Sequence, residues 1–279
     1  SSPSRGLGDV YKRQFLNFQT WVGGDRDGNP NVTFKISEFA VVSLINHLIS
    51  MYNRDLDLLF DDYSISLKKP RKNCLLHKSI KEDLKQSKIP NETINRYEFE
   101  PIRLKLLLIK EKLQTYQKCV SQRKKIRFTV KDFQKDLDLI VSFLKNYNGD
   151  GSLIYGDIQK LIIRIKIFGL HFMSLDIRQH SSVHENAVDE IVSSIFPNFS
   201  YMNLSEKKRC EILKKLISMK TIDFDYDSND LSSLLKEVLG TFLFIKNSIT
   251  INEKIISSYV ISMTDSKSDV LEVLFLSRI

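Results

Sequence analysis

Cysteine is scarce in this chain: Cys74, Cys119 and Cys210 are the three among 279 residues, far apart and never spaced as C-x-x-C. A scattered, odd-numbered set excludes a disulfide framework or a zinc ribbon and suits a reducing compartment, so a cytoplasmic location is expected. Long hydrophobic runs are missing too. None approaches the ~20 residues that a membrane helix needs, so no membrane-spanning protein is expected. The opening residues lack the apolar stretch of a secretory signal. No internal repeat shows a period of roughly 20–50 residues, which removes solenoids and propellers. Alanine is reduced to Ala40 and Ala187, and Lys outnumbers Arg by 29 to 13. With abundant Ile, Asn, Phe and Tyr, that bias is what AT-rich codons produce.

What is present bounds the rest. Hydrophobic residues make up 42% of the chain, which excludes wholesale disorder and allows one large domain or two ordinary ones around a substantial core. The formal net charge of +8 invites a nucleic-acid reading. Basic clusters stand at Lys68-Lys69-Pro70-Arg71-Lys72 and Arg123-Lys124-Lys125-Ile126-Arg127. Neither is interleaved with aromatics on which bases would stack. Solvated loops or helix ends fit them better, and no nucleic-acid partner is expected.

Residues 1–14 (SSPSRGLGDVYKRQ) show no usable period and are read as a tail, disordered or left by cloning or sequence assembly. An amphipathic helix is predicted from Ser37 to about Asp61, its apolar face running through Phe39, Val42, Leu44, Ile45, Leu48, Ile49, Tyr52, Leu56 and Leu59. A charged connection follows to about Asn95. Phe99 to Val120 reads as a second helix with Pro101 in its first turn. Thr129 and Asp132 resemble a capping signal that opens a third, through about Tyr147. A turn at 148–152 then leads to a helix over Tyr155–Phe168, closed by Gly169.

Past Gly169 the period changes. In Leu170–Arg178, Met173, Leu175 and Ile177 alternate with Ser174, Asp176 and Arg178, as in a buried strand with one polar face. Ser182 and Glu185 resemble a capping box for a helix to Phe196. Helices near 205–219 and 229–247, a strand over Ser257–Met263 and a helix over Ser268–Ser277 complete the reading. Two strand-then-helix units in a helical chain predict a mainly α protein with a few parallel β-strands. Since a (β/α)8 barrel needs eight strands, this is an incomplete part of a helix-rich TIM-type barrel. The domain would run over 15–279, with a helical region at 34–168 and barrel β/α units at 169–279.

The most unusual local sequence is Trp21-Val22-Gly23-Gly24-Asp25-Arg26-Asp27-Gly28-Asn29-Pro30-Asn31-Val32-Thr33. An EF-hand fails here, because Pro30 and Ile36 occupy the places of the obligatory Gly and Glu. A P-loop fails for want of Gly-Lys-Ser/Thr. A structural turn or a site wall remains. His180 and His184, with His171 upstream, could be a metal pair, but no third ligand stands at characteristic spacing and surface histidines near a helix start fit better. Cys119 reads as packing. Arg178 falls at the C-terminal end of an apolar strand, where β/α enzymes place their chemistry. There it either holds an anion bidentately or closes a salt bridge to Asp176 or Glu185, and the sequence leaves both open.

Three blocks, WVGGDRDGNPNVT (21–33), FGLHFMSLDIRQHSSVHENAVDEI (168–191) and SYVISMTDSKSDVLEVLFL (258–276), resemble in order the bacterial-type phosphoenolpyruvate carboxylases. Tyr97–Arg103 is similar to that family's E-P-Y-R region. The resemblance implies an internal fragment of a cytoplasmic carbon–carbon lyase that joins bicarbonate to phosphoenolpyruvate, yielding oxaloacetate and phosphate. It implies dependence on Mg2+ or Mn2+ with ligands outside these residues, a homotetramer in the intact enzyme, and no membrane partner. Arg178 matches a family arginine that binds the substrate's anionic groups. Trp21 matches a tryptophan beside the substrate, and Asp25, Arg26, Asp27 and Asn29 match the pocket block. The family's T-A-H-P-T-E motif would precede residue 15, and its F-H-G-R-G-G loop, lysine and acidic metal ligands would follow residue 279. The fragment alone is therefore expected to be inactive. The other class of function compatible with the charge is a free-standing basic helical module for nucleic acid or a protein partner.

Overall fold

A computed structural model describes residues 16–67, 74–125, 127–148, 156–197, 199–222, 224 and 230–279. The tail expected over 1–14, the basic run 68–72, Ile126 of the second run and residues 149–152 of the turn expected at 148–152 lie outside the described residues, while Asn148 ends a helix. The chain divides into two units, one holding residues 16–18 and 42–173, the other 19–41 and 174–279.

The first unit is helical. It takes the greater part of α1 (Phe34–Asp62), then α2 (Leu75–Leu84), α3 (Asn91–Arg96), α4 (Pro101–Ser121), α5 (Val130–Asn148) and α6 (Asp157–Phe168). The apolar face of α1 holds from Ile45 onward, but Phe39 is 70% exposed and Val41 takes the buried place. Two residues along a helix turn about 200°, so Phe39 and Val41 cannot share a face. By length and composition α1 could cross a membrane, which no unbroken apolar run had suggested. Its Ile45, Leu48, Tyr52 and Leu56 are instead fully buried in protein. In α4, Pro101 sits at the first helical position, and Ile102, Leu106, Ile109, Leu113, Tyr116 and Val120 form one buried stripe. The signal at Thr129 is a reciprocal cap: Thr129 N donates to Asp132 Oδ2 at 2.9 Å and Asp132 N to Thr129 Oγ1 at 3.2 Å.

Two helices, α2 and α3, occupy what was expected to be a charged connection. The helix α2 buries only Leu76 and Ile80, one i,i+4 pair, too short a period to read. Its anchoring is electrostatic. Lys105 Nζ on α4, wholly buried, lies 2.6 Å from Asp83 on α2, 2.5 Å from Asp136 on α5 and 2.7 Å from Ser79 Oγ. Lys112 Nζ reaches the same two carboxylates at 2.8 and 2.7 Å. Two cations and two anions thus neutralise one another, with all three Lys105 protons engaged.

The expected strand does not begin at Leu170. Residues 170–173 form a turn, with Gly169 at φ 57° and Phe172 at φ 70°. Their apolar alternation imitates a strand, but tyrosine hydroxyls take the carbonyls: Tyr52 donates to Gly169 O at 2.7 Å and Tyr116 to Leu170 O at 3.1 Å.

The second unit holds one three-stranded sheet, β1 (Gln19–Thr20), β2 (Ser174–His180) and β3 (Ile256–Ser262), all parallel in the order β1-β2-β3. The parallel pairing of the two expected strands is thus present, and Arg178 faces Val260 in register. The two-residue β1 is a third strand, too short to show alternation. Leu175 and Ile177 are fully buried on one face, with Asp176 and Arg178 half-buried on the other. The strands feed α7 (Ser181–Ile195) and α10 (Lys267–Arg278), and α8 (Glu206–Ser218) and α9 (Ser233–Ile251) complete the unit. Ala187, Val188, Ile191, Leu213, Leu235, Phe275 and Leu276 form its helical core. The cap of α7 is His180, whose side chain accepts from Ser182 N, rather than Ser182 itself. The helix begins two residues earlier than the Ser-x-x-Glu spacing indicated. Inside this core, Tyr201 OH donates to the fully buried Glu272 carboxylate at 2.8 Å, and burial pushes that carboxyl up to about 7.

Candidate functional site

The loop of residues 21–33 connects β1 to α1, and its backbone is pinned before any side chain acts. Gly24 N and Asp25 N both donate to Trp21 O, at 2.8 and 3.1 Å, closing a tight turn with Gly23 at φ 81°. Gly24 then runs against β2 so closely that a Cβ there would fall 2.0 Å from Asp176 O. Only glycine allows that approach. Arg178 N donates to Gly24 O and Arg26 N to Arg178 O, both at 2.9 Å, so Asp25 and Arg178 form a parallel bridge that continues β1 alongside β2.

Side chains then divide by role. Asp25 Oδ1 accepts from Asp27 N at 3.1 Å and Asn29 Oδ1 from Asn31 N at 3.1 Å, two Asx turns that shape the loop. Arg26 turns inward and is 6% exposed. Its guanidinium donates to Gly24 O at 3.2 Å and Ser37 Oγ at 2.6 Å and lies 3.9 Å from Glu237 Oε1. Burial draws its pKa down and pushes the Glu237 carboxyl up, while Glu237 also accepts the N–H of Phe34 at the start of α1. Arg26 therefore braces the loop from beneath. Trp21 is 68% exposed. Asp27 and Arg178 meet, Nη2 to Oδ2, at 2.9 Å.

The two partners first considered for Arg178 are engaged elsewhere: Asp176 accepts from Ser258 Oγ, and Glu185 pairs with Arg209 at 2.6 Å. Arg178 Nε is buried without a hydrogen-bond partner among the described residues. A guanidinium with one nitrogen tied and others free can grip the oxygens of a phosphate or carboxylate.

The histidines separate. His180 caps α7, and His184 is not a surface residue but wholly buried, its Nε2 2.7 Å from Tyr259 OH. Position 184 falls one turn into α7, on the face that packs against β3. Phe242 stacks on the same tyrosine, ring centroids 5.4 Å apart, and burial pushes His184 down to about 4. His171 belongs to the first unit. Among the described residues no three His, Cys, Asp or Glu side chains are grouped to hold a metal ion. Glu237, Ser37 and Tyr259 carried no local signal. Glu237 and Tyr259 act through partners far away in sequence, and Ser37 through Arg26 eleven residues back across a loop, none of which spacing reveals.

A family model for phosphoenolpyruvate carboxylase matches residues 5–279, starting ahead of Phe15 and taking in part of the opening stretch set aside above. The phosphoenolpyruvate carboxylase of Prochlorococcus marinus subsp. pastoris is 31% identical over 288 residues, covering 95% of this chain and 29% of that protein. That of Rhodothermus marinus is 28% identical over 272 residues, covering 97% and 29%. That of Synechococcus sp. is 29% identical over 290 residues, covering 95% and 28%. The chain belongs to the phosphoenolpyruvate carboxylase family. It spans under a third of the length of these curated relatives, 29% of the first two.

Proposed function

We propose that this chain supplies one wall of the substrate site of a cytoplasmic, homotetrameric phosphoenolpyruvate carboxylase. Its sheet would be part of a helix-rich (β/α)8 barrel, within a family stretch that runs over residues 5–279. The observation that carries the reading is Arg178. It stands near the C-terminal end of a central parallel strand, with a half-exposed guanidinium tied by one nitrogen to Asp27. In β/α folds that strand end is where ligands bind.

The reaction moves the phosphoryl group of phosphoenolpyruvate onto a bicarbonate oxygen, leaving carboxyphosphate and the enolate of pyruvate. The enolate carbon then attacks the carboxyl carbon. A carbon–carbon bond forms, the bond to phosphate breaks, and oxaloacetate and phosphate leave. Negative charge stays high throughout, and a fixed guanidinium stabilises it where it gathers. Arg178 would bind a phosphate or carboxylate of these species. Trp21, largely exposed, would offer an apolar surface to the substrate, while Asp25, Arg26 and Asn29 keep the loop in shape. The family's divalent cation, Mg2+ or Mn2+, does not fit the residues described. Asp27 is engaged with Arg178 and Asp25 with the Asp27 N–H, which leaves the loop no free pair of carboxylates for a cation.

In the full-length polypeptide carrying this segment, Arg178→Ala should lower kcat/KM for phosphoenolpyruvate on the order of 100-fold while circular dichroism stays unchanged. Arg178→Lys should recover only part, because a point charge does not reproduce the planar fork. Unchanged kcat/KM in both variants would overturn the assignment. The 279 residues alone contain neither T-A-H-P-T-E nor F-H-G-R-G-G and should give no oxaloacetate in a coupled malate dehydrogenase assay. Turnover abolished by Arg178→Ala would refute that.

A further inference from the structure

We infer that Asp27 is the positioning residue for Arg178, holding its guanidinium in the orientation that receives an anionic substrate. The inference rests on the reading of Arg178 above and assigns a separate residue to it. Four contacts carry it. The loop backbone is locked to Arg178 on both sides, through Gly24 O and Arg26 N at 2.9 Å each. Asp27 follows directly, and its N–H is held by Asp25 Oδ1 at 3.1 Å, so the carboxylate springs from fixed backbone. That carboxylate then takes a single guanidinium nitrogen, Nη2, at 2.9 Å.

The pairing is one-pronged where arginine and carboxylate could have met as a two-pronged fork. A fork would have consumed the donors an anion needs. A single contact leaves the exposed side of the guanidinium open to an anion while still restricting rotation of the planar group. Arginine is a long side chain with many rotamers, and ordering it at the moment of binding would weaken affinity. Asp27 orders it beforehand. Being 23% exposed against 43% for Arg178, the carboxylate sits on the covered side of the pair and leaves the guanidinium as the open partner. Asp27 touches Arg178 rather than substrate, so it acts through the arginine.

A double-mutant cycle in the full-length polypeptide tests this, with steady-state kinetics in phosphoenolpyruvate and inorganic phosphate as competing probe. Asp27→Asn should raise KM for phosphoenolpyruvate about 10-fold and the phosphate inhibition constant by a similar factor, with kcat changed less than about 3-fold. Asp27→Glu, which keeps the charge, should recover part of the loss. In an Arg178→Ala background Asp27→Asn should cost nothing further, since the group it positions is gone. Asp27→Ala repeats the cycle without an added amide should the Asn variant fold poorly. An equal cost of Asp27→Asn in both backgrounds would overturn the inference. So would a lower KM in Asp27→Asn, which would make Asp27 a competitor for the arginine. Should Arg178→Ala itself leave kinetics unchanged, the parent reading falls instead, and that result is distinct from either.

Discussion

Lys105 and Lys112 in the first unit face Asp83 and Asp136, and the buried ammonium of Lys105 has three oxygen partners within 2.7 Å. Arg26 and Arg178 in the second unit are also held by acids and carbonyls, yet each keeps a buried Nε with no hydrogen-bond partner among the described residues. Glu272 likewise keeps one carboxylate oxygen without a partner. The contrast separates two uses of a buried charge. A closed quartet fixes which helices pack together and has no capacity left for anything else. An open arrangement costs stability, because an unsatisfied buried donor forgoes its hydration. It persists where backbone contacts over-determine the geometry, as Gly24 and Asp25 do beside β2.

The closed quartet should break hardest. Lys105→Ala leaves Asp83 and Asp136 sharing Lys112 alone, and should destabilise the chain by about 3–5 kcal/mol in denaturant unfolding. A loss below about 1 kcal/mol would mean that the quartet is better solvated than its burial indicates. Next is the backbone that holds the open side. Gly24→Ala drives a Cβ into Asp176 O and should cost about 3 kcal/mol, at the upper end for overpacking. Amide exchange of Arg26 and Arg178 should quicken with it. Exchange left as slow as in the parent would show that the bridge between Asp25 and Arg178 survives.

Two buried groups of the second unit sharpen the comparison through pH. The Glu272 carboxyl, raised chiefly by burial from 4.5 to about 7, binds a proton in the folded chain that the unfolded chain releases between those values. Stability from Glu272 therefore falls as pH rises through that window. His184, lowered by burial from 6.5 to about 4, stays neutral where the unfolded chain is protonated, so its contribution rises with pH over nearly the same window. The two slopes oppose, so the contributions of Glu272 and His184 should nearly cancel between about pH 4.5 and 6.5. Glu272→Gln removes one slope and should uncover a rise of about 2–3 kcal/mol from pH 4 to 6.5. A profile no steeper than the parent's would show that His184 does not titrate as its burial requires. Smallest is Thr129→Ala, which opens the α5 cap in the first unit and should cost about 1 kcal/mol in thermal unfolding. No change would mean that Asp132 alone satisfies the helix start.

Local chemistry was legible where it decides the outcome within a few residues. Pro101 at a helix start, the Thr129–Asp132 cap, Gly169 beyond α6 and the alternation of Leu175 and Ile177 each act at short range, and each is present. The signals that misled were also local. Ser182 and Glu185 have capping-box spacing, but the chain leaves β2 so that His180 reaches Ser182 N first. Leu170–Met173 alternates like a strand until two distant tyrosines bend it. Within the candidate site, residue types marked the loop as unusual, but their division into brace and presenter depends on which way the backbone turns at Gly24. Asp27 and Arg178 lie 151 positions apart, and nothing between them encodes their meeting.

Gly24 also has a consequence at the level of the gene. Every single-base change that alters a glycine codon introduces either a residue bearing a Cβ or a stop. At most positions one of the small replacements is tolerated, but here even the smallest Cβ falls 2.0 Å from a carbonyl oxygen of the central strand. Codon 24 should therefore be among the most intolerant in the reading frame, passing only silent changes in a saturation library selected for folding. Gly28, in the same loop, has open space around an added Cβ but stands at φ 69°, so it should pass chiefly Asn and Asp, which adopt that left-handed backbone at least cost.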